Sequence, residues 1–391
     1  MSNIIDFIDL GQQPLANGFI SNEEEIKNEY FYNLRTTIDL ETMLVSIAEL
    51  PDKEKLFNKD YVYRSSGSKT MVKHFEDFAM WLKDKFSEFN ILEIGSNDGV
   101  FIKNFDITKA VCVEPCANFA QVTKDIGYKT YNSFWNLKLA EEILETYKPF
   151  NIIYGANCMC HIKDLDETFK AVAKVLDNDG LFIFEDPSLA KIIQLGSYDQ
   201  IYDEHAHVFS VQAIDKILMR NGLYIMAVKS LDTHGGSNRI IARKSGDIYR
   251  AKSFEKHLWF EEQMGLNKLE TYKIFAERVH NSKIDLRDML INIHDMKKKI
   301  VSYGATSKSS VIFNYCNIGP ELIDFIIDNT PEKIGKVSPG KHIPIVTDVD
   351  LVDRKIDYVF LGAWNFRKEI QEKETNYKGR WISHIPFPRI I

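Results

Sequence analysis

A chain of 391 residues is longer than one ordinary hydrophobic core, so two or three domains are expected at roughly 100 to 200 residues each. Its 45% hydrophobic and 27% charged residues, with 25 Phe and 17 Tyr, describe a globular protein and exclude a disordered one. A formal charge of −7, no long Lys/Arg track, and no apolar window near the ~18 residues of a membrane span argue against nucleic-acid and membrane partners.

The opening stretch MSNIIDFIDLGQQPLANGF lacks a basic segment followed by a long apolar core, so a cytoplasmic protein is expected. Residues 70–89 space Met71, Phe75, Phe78, Ala79, Trp81, Leu82 and Phe86 for one face of an amphipathic helix. NILEIGSNDGVFIKNF then reads as a short apolar strand, a glycine loop and a new helix, and AVCVEP as a second strand ending in an acid. FNIIYGANCMCHI reads as a strand, DLDETFKAVAKVL as a helix, DNDG as a turn and LFIFEDPS as another strand. Such alternation predicts a doubly wound parallel sheet. RIIARK is expected to be an edge strand, and residues 251–298 a charged helical connector.

A second alternation starts at KKIVSYGATSKSSVIFNYC, with Asp328 closing its second strand. The fold class is therefore α/β, with two Rossmann-like domains and a small N-terminal piece. The expected divisions are residues 1–69, 70–245, the connector 246–298, and 299–391. Five cysteines (112, 116, 158, 160 and 316) form no C-x-x-C pair and read as buried reduced thiols, with no metal.

The first loop, EIGSNDG, separates Gly95 from Gly99 by Ser96, Asn97 and Asp98, which is not the G-x-G-x-x-G of a dinucleotide site. Glycine lets backbone pass close to a ligand, and S-adenosylmethionine has no phosphate that needs a cradle. Glu114, about twenty residues after Gly95, is placed to accept ribose hydroxyls. Asn157 is expected beside the methionine moiety. In the second loop, Thr306, Ser307, Lys308 and Ser309 stand at a helix start, where free N–H groups and a cation favour a diphosphate. Asp328 and Asn329 are expected at a ribose or base, with Trp364 and Asn365 at the same sheet edge.

SYDQIYDEHAHVFS gathers Tyr202, Asp203, Glu204 and His205 between apolar residues. His205 has an ordinary pKa near ~6.5 and suits a general base, with Glu204 or Asp203 orienting its ring. His207 would share a strand face with His205, yet the pair lacks a third metal ligand.

In order, DLGQQPLANGF, YVYRSSGSKTM, EIGSNDGVF, ANCMCHI, FEDPSL, DQIYDEHAHVFS, THGGSNR, GATSKS and GAWNFRKEI resemble the sugar C-methyltransferases that methylate C3 of nucleotide-linked 4-keto deoxysugars. The resemblance covers nearly the whole chain. It implies a central domain for S-adenosylmethionine, a C-terminal domain for the nucleotide sugar, and an N-terminal zinc-binding domain. It also implies His205 as the base with Tyr202 and Glu204 beside it, and His161 and a tyrosine, Tyr63 before Tyr61, at the substrate. Ser68, Glu93, Gly95, Asn97, Asp98, Gly99, Glu114, Pro115 and Asn157 are then assigned to the cofactor. His234 with Gly235 either touches substrate or caps a turn.

The sequence departs from that family at its start. No cysteine precedes Cys112, and Ile38 and Glu41 stand where a second cysteine pair is looked for, so a zinc-free N-terminal remnant is expected, packed by residues such as Phe31, Met43 and Leu44. A monomer is expected. An O- or N-methyltransferase on a related glycosyl substrate and a non-catalytic nucleotide-sugar-binding module are the competing readings. A dehydrogenase is weaker, because neither loop has dinucleotide spacing.

Overall fold

A computed structural model describes residues 3–244, 250–347 and 349–391 of the chain. The expected division at 245/246 lies outside the described residues. The strands form sheets of four, seven and six.

In the first sheet, strands Ile4–Pro14, Phe31–Asp39 and Val45–Ile47 pair antiparallel. Burial alternates along Phe31–Asp39, with Tyr32, Leu34, Thr36 and Ile38 inward, as a pleated strand with one covered face requires. Phe31 therefore falls on the outer face, 42% exposed, and does not pack this region as expected. Leu10, Leu34, Ile38 and Val45 carry the packing, joined by Met43, while Leu44 is half-buried against the neighbouring core. Ile38 is fully buried and Glu41 exposed. The fourth strand, His207–Val208, belongs to the same segment as His205 and pairs with Val45 and Ser46.

The seven-stranded sheet runs, in spatial order, Leu223–Leu231, Ser237–Lys244, Leu176–Pro187, Phe150–Ala156, Ile91–Ile94, Ala110–Val113 and Lys129–Tyr131. The last five are parallel. RIIARK is not an edge strand: Ser237–Lys244 is antiparallel to both its neighbours, and Leu223–Leu231 takes the edge. DNDG is looped out where the register slips between the Phe150/Leu176 and Ile152/Leu181 pairs. After the first glycine loop the expected helix shrinks to a 3-10 turn, Ile102–Asn104. Helix Lys69–Lys85 buries Met71, Phe75, Phe78, Ala79 and Leu82 against this sheet, each large side chain contributing ~1.5–3 kcal/mol. Trp81 stays 40% exposed, stacked on Phe78.

Helices Lys252–Gln263 and Leu269–Asp295 form the connector. The third sheet runs Ile345–Val346, Ile326–Ile327, Ile300–Tyr303, Tyr358–Leu361, Arg380–Ser383 and Arg389–Ile390, parallel except at the last strand. Leu10 and Leu34 of the first sheet, Leu286 and Leu290 of the long helix, and Phe313 and Phe360 of the third unit share one core. That core also takes in Leu189, Ile192 and Tyr202 from the chain that follows strand Leu176–Pro187. Among the described residues no helix is long and apolar enough to cross a membrane.

Candidate active site

Loops leaving parallel strands gather at the carboxyl edge of a sheet. Gly95 follows Ile91–Ile94, Glu114 follows Ala110–Val113, and Asn157 follows Phe150–Ala156. All three border one cavity of about 2390 Å3, together with Tyr61, Tyr63, Ser68, Asn97 and Pro115. That volume exceeds the ~300–1,000 Å3 of a one-ligand pocket and leaves room for two ligands.

Gly95 has φ +73°, and a Cβ there would stand 2.8 Å from Cβ of Cys158, so only glycine lets the loop pass. Glu114 Oε2 accepts the Asn97 N–H at 2.7 Å and Oε1 the Cys116 N–H at 2.8 Å. Each oxygen keeps a lone pair for a ribose hydroxyl. Glu93 lies buried beneath the loop, outside the cavity wall; burial, with Glu114 and Asp98 nearby, pushes its carboxyl well above the usual range. Asn97 and Asp98 turn away to hold the chain at 63–66. Asn97 Oδ1 accepts the Ser65 N–H, its Nδ2 donates to the Tyr63 carbonyl, and Asp98 accepts from Ser66. Gly99 follows them, and Ser68 caps helix Lys69–Lys85 through the Met71 N–H. A cradle that a Cβ would fill, an acid with spare lone pairs and no helix start at the loop fit S-adenosylmethionine and do not fit a pyrophosphate.

His205 is 5% exposed and borders the same cavity. Its Nδ1 lies 2.7 Å from the carbonyl oxygen of Gln200. A carbonyl only accepts, so Nδ1 carries the hydrogen and Nε2 of the neutral ring keeps its lone pair, with no partner among the described residues. Burial, then His161 and Lys308 nearby, hold the imidazole well below its usual pKa, so the ring is neutral. The expectation that Glu204 or Asp203 orients the ring is not met. Glu204 accepts from Asn17 Nδ2 at 2.6 Å and from the Tyr61 hydroxyl at 2.8 Å, and Asp203 accepts the Ala16 N–H at 3.1 Å. Both acids bind the N-terminal region to the base segment.

Tyr202 packs its ring 4.1 Å from that of His205, centroid to centroid. His161 is stacked between Phe57 and His205, 5.3 Å from each, and its Nε2 is buried without a partner among the described residues. Burial lowers its pKa to about 4, so it is a neutral hydrogen-bonding group. Tyr61 rather than Tyr63 reaches Glu204; Tyr63 is 38% exposed at the cavity wall. His207 spends its ring nitrogens on the Ser46 hydroxyl and the Lys163 carbonyl, a structural role. Among the described residues, Cys160, His161 and His205 bring possible metal-ligand atoms within 4.8 Å of one another. The two imidazoles are stacked at 23°, so one ring would have to turn before both lone pairs met at one ion.

The third sheet meets the cavity from the other side through Thr306, Ser307, Lys308, Asp328, Asn329 and Asn365. Thr306 and Ser309 form a capping box at the start of helix Ser307–Tyr315, which keeps Ser309 buried and off the wall. Asp328 accepts the Ala305 and Thr330 N–H groups, each at 2.8 Å. Burial lowers the Lys308 pKa, with Asp199 and Glu204 nearby opposing the shift. His234 sits in the turn Thr233–Gly235 and also borders the cavity, its Nε2 buried without a partner among the described residues. Trp364, expected at substrate, lies off the wall: its indole packs against Gly235 and donates to Asp199 Oδ2 at 2.6 Å. His384 Nε2 approaches that same oxygen at 3.2 Å.

Sequence reasoning missed Asn17, Phe57, His74, Gln200 and Lys333, which also border the cavity. His74 carried the one local signal, a polar residue amid the apolar spacing of helix Lys69–Lys85. Gln200 lies in the His205 segment itself, where its peptide carbonyl carries no side-chain signal, and Asn17, Phe57 and Lys333 reach the site only through folding of distant segments.

Residues 63–228 match the family model described as a methyltransferase domain, and residues 232–386 the one described as a C-methyltransferase C-terminal domain. The C-methyltransferase NovU of Streptomyces niveus is 28% identical across 99% of this chain and 94% of its own. Among solved structures, a Thermotoga maritima S-adenosylmethionine-dependent methyltransferase, a possible histamine N-methyltransferase, is 17% identical over 45% of this chain and 92% of its own, with a TM-score of 0.35. Magnesium protoporphyrin IX methyltransferase of Synechocystis PCC 6803, solved with its methyl donor bound, is 12% identical over 44% of this chain and 79% of its own, with a TM-score of 0.33.

Proposed function

We propose that this chain, which belongs to the S-adenosylmethionine-dependent C-methyltransferases, removes the C3 proton of a nucleoside-diphosphate 4-keto-6-deoxysugar and methylates the carbon so exposed. The observation that carries the reading is the placement of His205. Its free Nε2 belongs to a cavity whose walls include both the Gly95 loop of one sheet and the Thr306–Lys308 loop of the other.

Carbon becomes nucleophilic when a hydrogen α to a ketone is removed, and a 4-keto sugar offers one at C3. His205 Nε2 takes that proton, and the Gln200 carbonyl steadies the imidazolium through Nδ1–H. Negative charge then develops on the C4 oxygen. His161 and Tyr63 are polar groups of the wall suited to donate to it, each such preorganised donor being worth ~3–4 kcal/mol in comparable sites, whereas the Tyr61 hydroxyl is committed to Glu204. When bound, S-adenosylmethionine supplies the electrophilic methyl carbon. Lys308 and Ser307 receive the diphosphate, with Thr306 holding their helix start in place, and Asp328 and Asn329 the nucleoside.

On this reading the base works without a metal, residues 70–245 form the methyl-donor domain and residues 299–391 the nucleotide-sugar domain. The test is exchange of the C3 hydrogen in D2O without the methyl donor, followed by NMR location of a labelled methyl group after turnover. Exchange at C3 and label on C3 are expected. Label on oxygen or nitrogen would replace this reading with O- or N-methylation.

A further inference from the structure

Glu185 and the groups around it form a buried ionic cluster at the cavity wall that the proton chemistry above leaves unused. Glu185, 1% exposed near the end of strand Leu176–Pro187, accepts the Tyr154 hydroxyl at 2.9 Å and Arg239 Nε at 2.7 Å through Oε1. Its other oxygen lies 2.6 Å from Nε2 of His74, on helix Lys69–Lys85. Arg239 is itself fixed over the Phe78 ring, 3.5 Å from the centroid. One guanidinium already balances the single carboxylate. The Nε2 of His74 is a further partner of that carboxylate, and its Nδ1 has no partner among the described residues.

The position of this nitrogen indicates its ligand. His74 borders the cavity together with Gly95 and Asn157, and the Asn157 N–H donates to the Glu185 peptide carbonyl at 2.6 Å. Glu114 and Pro115, on the neighbouring strand, take the ribose side of the Gly95 loop, which leaves the Asn157 side for the amino-acid end of the methyl donor. That end carries a carboxylate, and a buried carboxylate needs a charged donor.

We propose that His74, held by Glu185 and Arg239, binds the methionine carboxylate of S-adenosylmethionine through Nδ1–H. The inference rests on that compound being the methyl donor and adds a residue to its site. It distinguishes ligands by whether they carry the amino-acid end.

Calorimetry on the full chain with S-adenosylhomocysteine and with 5′-methylthioadenosine, which lacks the aminocarboxyl group, tests it. The His74→Gln variant should bind S-adenosylhomocysteine about tenfold or more weakly and 5′-methylthioadenosine as the parent does. Retained binding of the second ligand also shows that the variant is folded. Unchanged affinity for S-adenosylhomocysteine, or an equal loss for both ligands, would overturn the carboxylate role. Failure of the parent protein to bind either ligand would instead overturn the methyl-donor assignment beneath it.

Discussion

Gly95 and Gly304 end corresponding strands of the two parallel sheets, at φ +73° and +95°, and each loop is gripped by the acid that ends the adjacent strand. Glu114 holds the Asn97 and Cys116 N–H groups, and Asp328 those of Ala305 and Thr330. The loops part company after the glycine. Beyond Gly95 the chain makes only a 3-10 turn, so no row of free N–H groups faces the cavity. Beyond Gly304, Thr306 caps a helix of nine residues and Lys308 stands in its first turn. On the proposed reading, one backbone device serves the phosphate-free methyl donor in one half and a diphosphate in the other, because ligand charge is answered by the backbone and side chains beyond the turn.

The sharpest test of that division removes the proposed base, His205, which borders the cavity with both loops. His205→Asn should lower C3 exchange and methylation by ~10²–10⁴-fold while both ligands still bind, measured by deuterium uptake and calorimetry. Binding lost together with chemistry would show that the segment shapes the two sites rather than working between them. The same exchange assay run against pH should hold its rate down through pH 6.5. Burial, His161 and Lys308 depress the His205 pKa, so the ring is protonated, and the base lost, only at pH well below its ordinary value. An acid limb centred at or above pH 6.5 would contradict this.

Next in size are paired glycine substitutions. Gly95→Ala places a Cβ 2.8 Å from Cys158 Cβ, and Gly304→Ala one 2.5 Å from Ala363 Cβ, both at positive φ. Strain of ~1–3 kcal/mol should weaken each loop's own ligand by about tenfold or more and leave the other ligand nearly unchanged. If either change weakened both ligands equally, the two loops would not be separate sites. Lys308→Met should raise KM for the nucleotide sugar by roughly tenfold, as expected for losing a charge-assisted bond of ~1.5–3 kcal/mol, without altering donor affinity. The smallest effect is expected from Trp364→Phe, which removes the indole donor to Asp199 at the contact between the halves. A loss of about 1 kcal/mol in thermal unfolding would mark it as a structural tie.

Both glycine loops, their acids and the helix Lys69–Lys85 were legible in the sequence, because each depends on spacing within a few residues. So was the clustering of ionisable side chains around His205. The helix after Gly95 was misread because the apolar residues Val100, Phe101, Ile102 and Phe105 mimic helical spacing; in the fold, Val100, Phe101 and Ile102 pack beneath the loop, within a 3-10 turn and the residues leading into it. RIIARK was misplaced because its alternation does not reveal that Leu223–Leu231 covers its open edge. Phe31 was assigned to the interior from side-chain type alone, whereas strand register put it outside.

By itself, the sequence determined the α/β alternation, the two close-approach glycines, the acids that face them and the presence of an imidazole in the Tyr202–His205 cluster, since all follow from local periodicity and side-chain chemistry. Only the tertiary structure decided what each group touches. Glu204 was turned from His205 to Asn17 and Tyr61, the Gln200 carbonyl was set on Nδ1, and His74 was brought to Glu185, 111 residues away. A hydrogen bond depends on positions to within tenths of an ångström; for the distant pairs those positions are set by packing, and even for Gln200 and His205, five residues apart, by the turn the folded segment takes, which side-chain pattern does not encode.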